Sequence, residues 1–285
     1  MRILTERETG ATGGIIMALN GLSRTGRRLG PLLVALSILP GCVDLSGHGP
    51  ARLWATLRPR QTVAALRPGH AYCMRGFLGI FSTGIDQLAR QLRRDDGIPA
   101  ASCADSEPHR LYRFLLREYR AGRLRGPLVL IGHSWGADDQ IRVARRLGRH
   151  GISVRLLVAI DPVTPPEIPP NVERCIDIYK SHPLTDFLPF WRGVPARAKN
   201  PRRTKLTNIN LRYANVGFPT AGINHINIEK NPGVHRMILA LVQRCIPVYA
   251  DLPPRASCGG RFPARQAYAE HASSLKLSAI PEAKK

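Results

Sequence analysis

The stretch Pro127-Leu-Val-Leu-Ile-Gly-His-Ser-Trp-Gly136, continuing Ala137-Asp-Asp-Gln-Ile-Arg-Val-Ala-Arg-Arg-Leu147, decides how this chain is read. From Pro127 to Ile131 the run is apolar without interruption, and Gly126 and Gly132 bound it. A run without polar alternation predicts a strand buried on both faces of a parallel sheet. The pattern over Gly136 to Leu147 predicts a helix. Between the two, Gly132-His133-Ser134-Trp135-Gly136 must turn strand into helix within a few residues. Glycines on either side of Ser134 remove Cβ clashes in so sharp a bend and leave its hydroxyl exposed at the strand end. The helix N-terminus behind it favours developing negative charge.

Working outward, the same alternation recurs. His70 to Met74 is a short strand pattern that ends in the glycine-bearing turn Arg75-Gly76-Phe77-Leu78-Gly79. Ser82 to Arg94 is helical by the spacing of Ile85, Leu88, Ala89 and Leu92, and a strand follows near Ala100–Ala104. Glu107 to Arg120 is a second amphipathic helix, with Leu111, Phe114, Leu115 and Tyr119 on one side and Gly122 beyond its end. After the central stretch come a buried strand, Val154 to Ile160, and two further strand candidates, Cys175 to Tyr179 and Asn208 to Tyr213. The last helix starts at Asn231 as N-cap with Pro232 in its first turn, and carries Val234, Met237, Ile238, Leu241 and Val242. Strands alternating with helices predict an α/β domain over 70–250, a three-layer α/β/α sandwich around a mostly parallel sheet. Residues 181–206 interrupt the pattern with Phe187, Phe190 and Trp191, as a lid over an apolar pocket or an ordinary loop would. Residues 251–285 read as a loosely packed tail.

The chain of 285 residues is 44% hydrophobic and 22% charged, enough to bury a core, which excludes a wholly disordered chain. Its 42 basic against 20 acidic residues leave a net charge of +22, and all but seven of the basic residues are Arg. The Arg is scattered, with no long run of like charge, so no specific nucleic-acid partner is expected.

The first 41 residues are excluded from the fold. From Met17 they read as an export signal, with Arg24, Arg27 and Arg28 ahead of an apolar segment from Leu29 to Leu39 that is too short to span a bilayer. Leu39-Pro40-Gly41-Cys42 resembles a bacterial lipobox, which implies lipidation of Cys42, a membrane anchor and residence in the cell envelope; without the lipid, the same signal implies secretion. A tether over 42–69 then leads into the domain. In an oxidising compartment Cys73, Cys103, Cys175, Cys245 and Cys258 are expected to form at most two bridges. No Cys or His spacing suits a metal, and no cofactor is expected.

A serine hydroxyl is a poor nucleophile at neutral pH, so Ser134 needs a base, and the base needs an orienting carboxylate. The elbow, the Arg75–Gly79 turn and a His after the last strand, taken in order, resemble the α/β-hydrolase family, specifically its lipases, esterases and thioesterases. The likeness spans His70 to Cys245. It implies that Ser134 is the nucleophile and His225 the base, and that the backbone N–H groups of Phe77 and Trp135 hold the oxyanion. It also implies a sheet abbreviated at its N-terminal strands. The family commonly has His before the first glycine of the oxyanion turn, where this chain has Arg75. Asp161, Asp177 and Asp186 are candidates for the acid. Asp161 is preferred because it ends the strand after the elbow helix, at the sheet edge that holds Ser134. The implied reaction is hydrolysis of an ester or thioester of an apolar acyl group, from a small molecule or a lipid. The alternative is a non-catalytic, envelope-binding lipoprotein on the same scaffold.

Overall fold

The computed structural model describes residues 67–76, 82–104, 108–182 and 193–247. The elements are β1 (His70–Met74), α1 (Thr83–Arg94), β2 (Ala100–Cys103), α2 (Pro108–Arg120), β3 (Leu128–His133) and α3 (Trp135–Gly148). They continue with β4 (Val154–Ile160), β5 (Val172–Tyr179), β6 (Lys205–Asn210), a 3-10 turn at Ile228–Lys230 and α4 (Pro232–Cys245). The strands form one open sheet in the order β2-β1-β3-β4-β5-β6, and every neighbouring pair is parallel.

The side-chain period of two divides each strand between two cores. Leu128 and Leu130 of β3 pack with Leu111 and Leu115 of α2 and with Ile141 and Leu147 of α3. Val129 and Ile131 pack on the other face with Leu88 and Leu92 of α1 and with Ile238 and Val242 of α4. Because both faces are covered, β3 is buried at all of its positions, which is why its sequence is apolar without alternation. Truncating a side chain at such a position, Leu130→Ala for example, costs about 2–5 kcal/mol.

The chain order reverses direction between β1 and β3. β2 lies outward of β1 on one side, and β3, β4, β5 and β6 follow on the other. In open parallel sheets the crevice at the C-terminal edge of such a switch point is where ligands bind. Here the ends of β1 and β3 lead into Arg75-Gly76 and into Ser134.

Several boundaries differ from expectation. β5 starts at Val172, three residues early, because Arg155 pairs with Glu173 across β4 and β5 and Arg174 continues the ladder, and such polar residues hide a strand from an apolar scan. β6 is Lys205–Asn210 and not Asn208–Tyr213; its ladder with β5 closes at Tyr179 and Asn210, and Tyr213, 72% exposed, lies in the turn beyond. Tyr119 falls in the last turn of α2 and is 45% exposed, off the apolar side where it was expected. The end of the expected tether is docked, since an Arg67 guanidinium nitrogen donates to the Ile246 carbonyl at 2.7 Å and Gly69 leaves no room for a Cβ against Pro127 O. None of the bridges allowed for above forms among Cys73, Cys103, Cys175 and Cys245. Burial pushes the Cys73 thiol up to about 12. Cys42, Cys258, Phe77, Asp186 and the aromatic residues 187–191 lie outside the described residues. No described helix is long and apolar enough to cross a membrane.

Candidate active site

The β3–β4 register builds the site. His133 pairs with Ile160, so the next residues, Ser134 and Asp161, leave adjacent strands side by side. Both are tied down through the backbone: Ser134 N–H donates to Ile160 O at 2.9 Å, and Asp161 N–H to Ile178 O at 2.8 Å. Ser134 sits at φ 57 and ψ −130, and Asp161 at φ 47, both unfavourable for residues with a Cβ. Glycine neighbours make the bend possible: a Cβ on Gly132 would lie 2.4 Å from Gly136 O, and one on Gly136 would lie 2.3 Å from Arg75 O.

His225 reaches both residues from the segment between β6 and α4. Its Nδ1 is 2.7 Å from Asp161 Oδ2, and its Nε2 is 3.0 Å from Ser134 Oγ. The carboxylate can only accept, so Nδ1 carries the hydrogen, and Nε2 is left to accept from the Ser134 hydroxyl. The Asp161 side chain is 4% exposed and that of His225 13%, which suits a fixed carboxylate behind a base with some access to solvent. Asn224 shapes the turn that presents the ring, its Oδ1 accepting from Ile226 N–H at 2.9 Å.

Asp177 does not join this group. It is fully buried mid-strand, its Oδ2 accepts from Ala196 N–H at 2.8 Å, and burial, reinforced by Asp161 and Asp138, holds its carboxyl well above the usual range. Asp138, in the first turn of α3, accepts from the N–H and hydroxyl of Thr164 at 2.9 and 3.0 Å, and so braces the turn after Asp161. Trp135 opens α3 and places its backbone N–H beside Ser134 at the positive end of the helix.

No family model matches the chain, and no curated protein matches it. Solved structures of similar fold do exist. One is described as a hydrolase of the α/β superfamily from Xanthomonas campestris pv. campestris, 18% identical, covering 61% of this chain and 98% of its own at a TM-score of 0.33. The NocB thioesterase domain of the nocardicin cluster is 13% identical over 61% of this chain and 93% of its own, with a TM-score of 0.41. Est1E from Butyrivibrio proteoclasticus is 11% identical over 65% and 92%, at 0.34.

Two neighbours of the site have partners that the residues alone do not announce. His133, at the variable position of G-x-S-x-G, is buried behind Ser134, with its ring centroid 5.0 Å from that of His225. Burial first, and His225 second, hold the imidazole well below its ordinary pKa, so it is neutral. Its Nδ1 is 2.6 Å from Ser82 Oγ, and its Nε2 is 2.9 Å from the backbone oxygen of His225. Arg75, which stands where the related pattern has His, is held in a buried pair with Asp86, Nε to Oδ1 at 2.9 Å and a second nitrogen to Oδ2. Gly76, next in the chain, presses directly on Ser134: a Cβ there would lie 2.7 Å from Ser134 Cβ. Among the described residues no group of three or more His, Cys, Asp or Glu could hold a metal ion.

Proposed function

We propose that the protein is a serine hydrolase that transfers an acyl group from an ester or thioester to water. The observation that carries this reading is the Ser134–His225–Asp161 chain of hydrogen bonds, at 3.0 and 2.7 Å, built on a strained strand-to-helix turn. Ser134 Oγ attacks the carbonyl carbon as His225 Nε2 takes its proton, and Asp161 stabilises the imidazolium that results. The carbonyl oxygen gains negative charge beside the Trp135 N–H, with Phe77 N–H as the second donor that the family likeness implies. His225 then returns the proton to the departing alcohol or thiol. A water repeats the sequence on the acyl-enzyme, and the acid and free serine are restored.

The acyl group is apolar in this reading, on the strength of the aromatic residues Phe187, Phe190 and Trp191. Hydrolysis of nitrophenyl esters of graded acyl length tests it. Activity rising from acetyl to longer chains is expected, and a strict preference for acetyl contradicts the apolar assignment. Asp161→Asn should fold normally and lose turnover on the order of 10⁴-fold. A near-normal rate in that variant would remove Asp161 from the role.

The protein works from the cell envelope in this account, anchored through Cys42. A palmitate analogue should label the wild type and not Cys42→Ser, and an unlabelled, wholly soluble wild type would refute the anchor.

A further inference from the structure

We propose that Ser82 and His133 are positioning residues that form a hydrogen-bonded relay fixing the Gly76 turn and the His225 segment beside Ser134. The proposal rests on the acyl-transfer reading above and adds the machinery that keeps its parts in register.

The direction of every bond in the relay follows from elementary donor and acceptor rules. The His225 carbonyl can only accept, so His133 Nε2 carries a hydrogen and donates to it at 2.9 Å. The buried ring is neutral, which leaves Nδ1 as an acceptor. Ser82 O–H therefore donates to Nδ1 at 2.6 Å, and its oxygen remains free to accept from Gly76 N–H at 3.2 Å. The sequence Gly76 N–H to Ser82 O–H to His133, and His133 Nε2–H to the His225 carbonyl, satisfies both ring nitrogens and the hydroxyl. No other arrangement of these hydrogens does so.

The relay joins the three segments that the chemistry needs. Gly76 belongs to the turn that touches Ser134, His133 is bonded to Ser134 along the chain, and the carbonyl belongs to the residue whose ring meets Ser134 Oγ. Ser82 and His133 lie 51 residues apart, and His133 and His225 lie 92 apart, so the contacts are tertiary and not by-products of local structure.

A second, independent observation singles out Ser82. Among the described residues only three non-glycine residues have positive φ, and they are Ser134, Asp161 and Ser82, the last at φ 72 and ψ 43. Strained backbone of this kind gathers at functional sites, where surrounding contacts hold it. Ser82 stands at the N-cap of α1, a place where its hydroxyl ordinarily bonds the helix N–H groups, yet it makes no such bond. The hydroxyl is committed to His133 instead.

This geometry supplies a discriminating variant. Glycine adopts φ 72 readily, so Ser82→Gly relieves the backbone while deleting the hydroxyl. A serine with only a structural role would show its loss in Tm and leave kcat unchanged. We expect Ser82→Gly to hold Tm within a few degrees, the relieved backbone offsetting two lost hydrogen bonds, to leave KM within about twofold, and to lower kcat per titrated active site by about 10- to 100-fold, as small misplacements of reacting groups do. His133→Leu should lose at least as much, and the double variant no more than His133→Leu alone. In the wild type, nitrogen NMR should find His133 neutral and protonated at Nε2 throughout the range of activity.

Wild-type kcat in Ser82→Gly overturns the relay, as does a loss that lies wholly in fewer titratable sites. An Nδ1-protonated His133 overturns it without recourse to activity, should His133→Leu fail to fold. A folded wild type that no fluorophosphonate titrates and no ester acylates overturns the hydrolase reading itself, and the relay's purpose with it.

Discussion

Helices α3 and α4 begin with residues of the same N-capping class and use them differently. At α4 the Asn231 side chain accepts from Gly233 and Val234 N–H at 2.8 and 3.2 Å, with Pro232 at the first helical position and an ordinary φ of −67. At α3 Ser134 holds φ 57, makes no capping bond, and directs its hydroxyl to His225. One start is spent on stability, and the other gives up a cap and accepts strain to leave a hydroxyl available. Ser82 at α1 repeats the second pattern, with His133 as the recipient. On the proposed reading, an α-helix whose capping-class serine sits at positive φ without capping marks a part of the site.

The comparison breaks if the two starts respond alike to truncation. Ser134→Ala removes no cap, so its Tm should stay within a few degrees while turnover falls on the order of 10⁶-fold, the loss that follows removal of a catalytic serine in comparable enzymes. Urea unfolding alongside ester hydrolysis reads both. Gly76→Ala probes the turn that presses on Ser134, because the new Cβ would lie 2.7 Å from Ser134 Cβ and 2.8 Å from His133 O. It should cost about 1–3 kcal/mol of stability and lower kcat/KM by roughly 100-fold.

Glu229 sharpens the contrast from another side. Its carboxyl lies against the first turn of α1, close enough that a Cβ on Gly84 would collide with it, and it faces the Gly84 and Ile85 amides there. Burial pushes the group up to about 7 from 4.5, with Asp86 adding to the rise and Lys230 and the Gly84 and Ile85 amides opposing it. The folded state thus binds the proton more tightly than the unfolded chain. Stability is lost as pH rises from about 4.5 through about 7, and the loss is complete above that. Glu229→Gln stays neutral, so its advantage over the wild type should grow across that window by up to about 3 kcal/mol. Equal pH dependence in the two proteins would show that the carboxyl is solvated. The smallest effect belongs to α4, where Asn231→Ala should cost about 1 kcal/mol and leave turnover unchanged.

Much of the framework is legible in the residues, because burial on both faces of β3 imposes an apolar run and the bend after it imposes glycine at 132 and 136. Asp161 is legible for a related reason: it is the first polar residue after a buried strand at the sheet edge that carries Ser134. The first half of β5 is hidden because Glu173 and Arg174 are polar where a scan looks for apolar residues. The roles of His133 and Ser82 are hidden more deeply, since they exist only once β3, the start of α1 and the His225 segment meet. A histidine between Gly132 and Ser134 carries no signal by itself. Arg75 reads as a departure from the related pattern until its partner Asp86 is seen eleven residues on.

The claim that Ser134 is an activated nucleophile is tested most directly by reacting the purified protein with a fluorophosphonate and locating the adduct by peptide mass spectrometry. The account predicts one adduct per chain on Ser134, formed quickly in the wild type and very slowly in Asp161→Asn. A folded protein that forms no adduct, or carries it on another residue, would contradict it.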